Sequence, residues 1–467
     1  MEEFDLIVIG SGTGLSVASS AVNRGMEVAV VEDHPVGGTC LTRGCIPSKM
    51  LIHSADVAET VRNSERFGID AEIDEVRFQE IVDEVNDHVE EESGNIVQGL
   101  EHSDRHTLYR QTGEFVDEKV LELEDGEEIT APRILIAAGS RPVIPPIDDI
   151  EDVDYWTSTE ALDPDRQPGS LVIIGGGYIA AELAHFYGTL GTEITILEMG
   201  DTLVGNEDEE IRERFTEMFS EKYDVHTGYR AEKVSEGDGE VKVEAENEEG
   251  ETVEVSGDKL LVAAGRRPNS DRLNVEEAGV ETDENGFVVT DEHMETNVDG
   301  IYALGDVADN YMFKHSANYE GQIATVNMLT EHEHEADFTG MPHAIFSSPQ
   351  VAGVGRTEQE LREEDADYLV GRYEYGDTAM GLALKEEDGF AKVLADHDTG
   401  EILGFHVLGP HASSIIHEVL VSVRNGSGTV DDIRDTIHIH PALNEVVQRA
   451  FSSLQHPEHV DHDHHHG

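Results

Sequence analysis

Only two cysteines occur in the chain, Cys40 and Cys45, and both lie in the stretch GGTCLTRGCIPSK. A structural disulfide framework needs more cysteines, spread along the sequence. A tetrahedral metal site needs four ligands, and there is no second cysteine pair to complete one. A close, isolated pair in a cytosolic chain reads as redox chemistry, with a passive thiol pair as the remaining alternative. The spacing places both cysteines early on one helix that starts just after a glycine turn. There the helix dipole stabilises thiolates, and Pro47 suits the first turn. A second group stands near the other end, in IHIHPALNEVV. His440 precedes Pro441, which fits the start of a helix, and Glu445 falls about one turn inside. A carboxylate beside an imidazole sets its tautomer and raises its basicity, the arrangement of an acid–base pair. His438 competes with His440 for that role.

Two copies of one unit position these groups. The run FDLIVI (4–9) reads as a buried strand. Gly10, Gly12 and Gly14 follow, then a helix from Ser16 to Arg24 and a strand ending at Glu32. From Leu171 the order repeats: LVII, the glycines Gly175 and Gly177, a helix through Leu190, the strand EITIL, and Glu198. In such turns the first glycines let backbone N–H groups meet a pyrophosphate at the helix N-terminus, and the acid takes the ribose hydroxyls. The third fingerprint position is Leu15 in the first copy, where Gly14 can offset the lost close approach, and Ala180 in the second. Glu198 favours a free 2′-hydroxyl over a 2′-phosphate, and no arginine occurs in the following MGDTLVG, so this turn leans to NADH. Two apolar runs, ILIAAGSRP and LLVAAGRRP, end at Gly139 and Gly265 and read as closing strands. GIYALGDVAD carries Asp306. From about Pro342 alternating strands give way to helices.

These features imply two Rossmann-like doubly wound nucleotide-binding domains plus an α+β C-terminal domain. The boundaries read as 1–147 and 269–341 for a first, FAD-binding domain in two parts, 148–268 for an NAD(P)-binding domain, and 342–455 for the α+β domain. Residues 456–467 read as a disordered tail rich in histidine. Acidic residues number 100 against 31 basic ones, a net charge of −69 spread along the whole chain. A surface so charged repels itself unless molar salt screens it, so a salt-adapted cytoplasm is expected. With no basic stripe to neutralise phosphates, nucleic acid is not a partner. No apolar run is long enough for a membrane span, and the N-terminus, MEEFDLIVIGSG, lacks the features of a signal peptide. No metal ligand is assigned; the tail histidines read as solvated.

Taken together, GGTCLTRGCIPSK, GGGYIAAE, YALGD and HPALNE resemble the pyridine nucleotide-disulfide oxidoreductase family over nearly the whole length. The resemblance implies FAD, a nicotinamide cofactor and a homodimer. It implies Cys40 as the thiol that exchanges with substrate and Cys45 as the thiolate against the flavin. Lys49 and Glu182 would pair near the flavin, Tyr178 would gate the nicotinamide pocket, and Asp306 would hold the ribityl chain. His440 and Glu445 would act across the dimer interface. No cysteine follows Cys45, which removes the branches that carry a C-terminal thiol pair. A reductase of a small thiol disulfide remains, with bis-γ-glutamylcystine as first substrate and NADPH as that branch's cofactor. The other readings are a dihydrolipoamide dehydrogenase and a flavoprotein subunit bound in a larger complex. Arg43, between the cysteines, is the candidate for holding an anionic substrate.

Overall fold

The computed structural model describes residues 1–308 and 310–459. Two five-stranded parallel sheets share one plan. In the first, Leu6–Ile9 lies in the middle. Val28–Val31 and His106–Tyr109 flank it on one side, Ile134–Ile136 and Ile301–Ala303 on the other. In the second, Ser170–Ile174 takes the middle place. Glu193–Glu198 and Asp224–Thr227 lie on one side, Lys259–Val262 and Tyr155–Trp156 on the other. Both middle strands are covered on their two faces, which is why their sequences run apolar without alternation.

The glycine turns and the AAG runs explain each other. Gly10 has φ +99°, and a Cβ there would stand 2.2 Å from the Ala137 carbonyl oxygen. Gly175 has φ +110°, and its Cβ would stand 2.4 Å from the Ala263 oxygen. Each middle strand therefore ends against the closing strand's first alanine, and only glycine fits. The first helix spans Gly14–Val22, two residues earlier at both ends than the sequence suggests. Gly14 is the residue that meets the strand, because a Cβ on it would lie 2.6 Å from Val8 Cγ1. Leu15 packs to one side against an apolar cluster, so it does not push helix and strand apart.

The closing runs do more than close. Beyond Ile134–Ile136 and Lys259–Val262, Ser140–Pro142 and Arg266–Pro268 pair with each other as antiparallel strands and tie the two units together. Likewise His106–Tyr109 joins the first parallel sheet as its edge. A five-stranded antiparallel sheet, from Pro342–Ile345 to Ile402–Gly409, forms the C-terminal unit with helices against it.

Aromatic packing seats the helix Tyr178–Leu190 between units. Phe186 lies 5.6 Å from Phe78, and Tyr187 lies 6.0 Å from Trp156. A buried ion cluster joins the second and C-terminal units. Lys392 Nζ, fully covered, lies 2.8 Å from Asp208, 2.9 Å from Glu210 and 2.6 Å from Glu358. These three carboxylates keep the buried lysine charged.

Candidate redox site

Cys40 lies on a short helix, Gly38–Thr42, and Cys45 opens the next, Cys45–Arg62. The single helix expected over both breaks at Arg43 and Gly44. A Cβ at Gly44 would stand 2.7 Å from the Thr39 oxygen, so the chain can make this break only with glycine. The break folds one thiol onto the other. The Cys40 S–H bonds to the Cys45 sulfur, and this bond pulls the Cys45 thiol down to about 7 against the opposing effect of burial, with Lys49 helping. The same bond, together with burial, pushes the Cys40 thiol far up. Above about pH 7 the reduced pair is thus a Cys45 thiolate beside a Cys40 thiol. Cys45 also gains from standing at the first position of an 18-residue helix.

Lys49, one turn along, donates to Glu182 Oε2 at 2.6 Å, and Glu182 Oε1 accepts from the Phe346 backbone N–H at 3.0 Å. Glu182 is buried, and the ion pair crosses between the two parallel-sheet units at the foot of the cysteines. Two cavities meet here. Cys45, Lys49, Tyr178, Glu182 and Lys314 line both.

The inner cavity carries Cys40, Gly10, Gly12, Glu32, Gly139 and Asp306. Glu32 Oε2 accepts from Ser11 N at 2.8 Å and Ser11 Oγ at 2.6 Å, so the acid closes the glycine turn. Asp306 accepts from Ser140 Oγ at 2.6 Å. Gly14 lies behind the cavity wall, in the helix–strand contact. Arg43, Arg266, Arg272 and Lys314 also face this cavity. Its glycine wall, basic groups and buried acid fit a flavin dinucleotide, with diphosphate against N–H groups and arginine, and ribose against Glu32.

Arg43 lies on the same side as Cys40. It lines the inner cavity and not the wide cleft, because the kink at φ −155°, ψ 36° turns it inward beside Glu32 and Asp33. That placement suits a cofactor phosphate, and Cys40, the sulfur expected to meet substrate, lines the same cavity.

The cleft is lined by Gly175, Gly177, Glu198 and Gly265. Glu198 Oε1 accepts from Gly200 N at 2.6 Å, and its other oxygen accepts from Gly176 N, the same closure that Glu32 makes in the first copy. Ala180 is fully buried and lines neither cavity. This cleft fits a pyridine nucleotide. Arg212 and Arg230 line it too, from a later helix and strand, out of reach of a reading confined to the residues just after Glu198.

His440 and Glu445 line neither cavity. His440 Nδ1 lies 2.9 Å from Glu445 Oε1, which holds the Glu445 carboxyl below its usual range. The His440 side chain is 71% exposed, and among the described residues its Nε2 meets no partner. His438 is the opposite case: its side chain is covered, with one ring nitrogen 3.0 Å from Thr436 O and the other 3.0 Å from Glu418. Of the two rings, only His440 leaves a nitrogen open to an outside molecule. The helix begins at Glu445, later than the sequence suggests, so the acid stands at its first turn. The peptide bond before Pro441 is cis.

Sequence reasoning missed Lys314. It opens the helix Lys314–Leu329, donates to Thr13 Oγ1 at 2.7 Å and offsets a small part of the rise of the Cys40 thiol. A lysine soon after the GD signature was the available signal. The expected tail from residue 460, and the side chain of His459, lie outside the described residues.

A dithiol held where two Rossmann-type cavities meet, with an ion pair beneath it, is the plan of a flavoprotein disulfide reductase. Comparison with known proteins agrees. Residues 4–321 match the family model for pyridine nucleotide-disulphide oxidoreductases, and residues 341–451 match that family's dimerisation domain. Mycothione reductase of Mycobacterium tuberculosis is 36% identical over 97% of this chain and 100% of its own length. Dihydrolipoyl dehydrogenase of Haloferax volcanii is 36% identical over 96% of this chain and 95% of its own. Among solved structures, the HOCl-induced flavoprotein disulfide reductase RclA from Escherichia coli superposes with a TM-score of 0.85 at 27% identity, over 96% of this chain and 99% of that one. The chain belongs to the pyridine nucleotide-disulphide oxidoreductase family. It is an oxidoreductase that works with FAD and a pyridine nucleotide. No helix among the described residues is long and apolar enough to cross a membrane.

Proposed function

We propose that this protein is a cytoplasmic homodimer that reduces the disulfide of a small thiol, with bis-γ-glutamylcystine as first candidate. The observation that carries the reading is the Cys40–Cys45 pair, folded together where the two cavities meet, with Lys49 beside Cys45. When bound, FAD and NAD(P)H supply the two electrons that reduce the Cys40–Cys45 disulfide. His440 of the partner subunit takes the Cys40 proton. Cys40 sulfur then attacks the substrate disulfide, forms a mixed disulfide and releases one thiolate, which His440 protonates. Cys45 attacks Cys40 sulfur, re-forms the internal disulfide and releases the second thiolate, which takes its proton from solvent. Glu445 keeps the His440 ring oriented. Lys49, paired with Glu182, stabilises the Cys45 thiolate.

Mycothione reductase, 36% identical over its whole length, supports a small thiol. A dihydrolipoyl dehydrogenase of a salt-adapted cell would stand nearer to the haloarchaeal enzymes than to others. The chain is instead 36% identical to the Haloferax volcanii enzyme, 33% to that of Halobacterium salinarum and 36% to one from Bacillus subtilis. Dihydrolipoamide oxidation is the second reading, supported by those same relatives. Glu198 supports NADH, while Arg212 and Arg230 in the same cleft could receive a 2′-phosphate and support NADPH. Steady-state rates with bis-γ-glutamylcystine, glutathione disulfide and lipoamide, each with NADH and NADPH in molar KCl, decide. Preference for lipoamide overturns the small-thiol reading. Elution only with a larger assembly would favour a bound flavoprotein subunit.

A further inference from the structure

Far along the chain from the cysteines, three side chains converge. Glu292, His293 and Glu335 place one carboxylate oxygen, one ring nitrogen and one carboxylate oxygen within 4.8 Å of one another. They come from two segments, a turn after the first unit's later part and the strand-free stretch that leads toward the C-terminal unit. We propose that these three residues form a site for a divalent first-row transition ion, which clamps the two segments together.

The surroundings are built for it. His293 Nδ1 lies 3.1 Å from the His334 carbonyl oxygen. A backbone acceptor there fixes the proton on Nδ1 and leaves the Nε2 lone pair free, the usual second-sphere arrangement of a metal-bound histidine. Nε2 is the atom that faces Glu292, at 4.0 Å from Oε1; bonds of about 2.1 Å to one ion put neighbouring ligand atoms roughly 3.0–3.4 Å apart, so the two exposed glutamates close in when the ion binds. Asn327, on the helix Lys314–Leu329, staples the two segments. Its Nδ2 donates to His293 O at 2.9 Å and to His334 O at 2.8 Å, and its Oδ1 accepts from His334 N at 2.8 Å. Ala336 N donates to Glu292 O at 2.7 Å. Asp291 Oδ1 accepts from the N–H groups of His293 and Glu295. The ligand backbones are therefore held before any ion arrives. Two carboxylates and one imidazole suit a borderline ion such as Mn(II) or Zn(II), with water in the remaining positions. Molar salt screens the diffuse pull of this chain's other exposed acids on cations.

The test uses the full chain with its flavin in molar KCl and reads free Mn(II) by its paramagnetic resonance signal. Mn(II) binds imidazoles least among these ions, so the tail histidines contribute little. The expected result is one saturable site per chain, weakened at least tenfold in His293→Gln and in Glu335→Gln, and unchanged in Glu333→Gln. The melting temperature of the wild type should rise with Mn(II), and that rise should vanish in the two ligand variants. Absence of saturable binding overturns the site. So does equal binding by wild type and either ligand variant.

Discussion

The two sulfurs are five positions apart in sequence and opposite in character. Cys45 has a helix start, Lys49 and the Cys40 S–H around it, while Cys40 has a thiolate beside it. In the reduced protein, ultraviolet thiolate absorbance should therefore rise with a midpoint at about pH 7. Because the Cys45 pKa is lowered from its ordinary value, the thiolate is present above this midpoint and lost below it. Cys45→Ser should abolish the transition. Cys40→Ala or Lys49→Met should move it to higher pH. A midpoint unchanged by both variants would show that neither partner sets it. At the other pole, His440→Gln should slow thiol–disulfide exchange by ~10²–10⁴-fold, the range for a general acid–base group, while hydride uptake from NAD(P)H stays normal. His438→Gln should instead lower the melting temperature, since His438 is covered and bonded at both nitrogens. Equal losses of exchange in the two variants would sink the assignment.

Among the elements, the glycine turns give a paired test. Ala at position 10 would meet the Ala137 oxygen, and Ala at 175 would meet the Ala263 oxygen, each in a left-handed backbone that costs about 1–3 kcal/mol for a non-glycine residue. Gly10→Ala should strip the flavin. Gly175→Ala should keep the flavin and raise KM for the pyridine nucleotide; loss of flavin in both would mean that the two cavities are not separate sites. The strand–turn–helix units were legible because their signals are local: an unbroken apolar strand, glycines at fixed offsets, an acid at the next strand's end. The break at Arg43–Gly44 was not, because it depends on a contact between Gly44 and the Thr39 carbonyl. Nor was the pairing of Ser140–Pro142 with Arg266–Pro268, which joins segments more than a hundred residues apart. Arg43 shows the cost: its place between the cysteines in sequence said nothing about which way the kink would turn it.

For the molecule as a whole, charge and an apolar patch pull in opposite directions. The net charge of −69 opposes any meeting of two copies in dilute buffer, and at molar salt the Debye length falls to ~3 Å. Beside His438 and His440, Ile437 is 97% exposed and Ile439 78%, an apolar edge in an otherwise acidic chain. In the proposed function, a second copy of the chain seated on this edge brings His440 within reach of the cysteines. Ile439→Asp should give monomers by sedimentation that still oxidise NAD(P)H with an artificial acceptor but no longer exchange disulfides. Wild-type exchange should fade as KCl is removed, with the dimer. Full exchange by a monomer would overturn the shared site.

The Lys392 cluster bears on how such an enzyme can be re-engineered. Lys392 and Glu358 belong to the C-terminal unit, Asp208 and Glu210 to the second sheet's unit. Neither unit can be grafted from a sister protein alone, because a donor without acids at both positions would leave a buried ammonium short of partners, a loss of ~3–5 kcal/mol. Lys392 thus makes the two units heritable only as a matched set, and a change of coenzyme preference is better sought by single substitutions around Glu198 than by transplanting the unit that carries it.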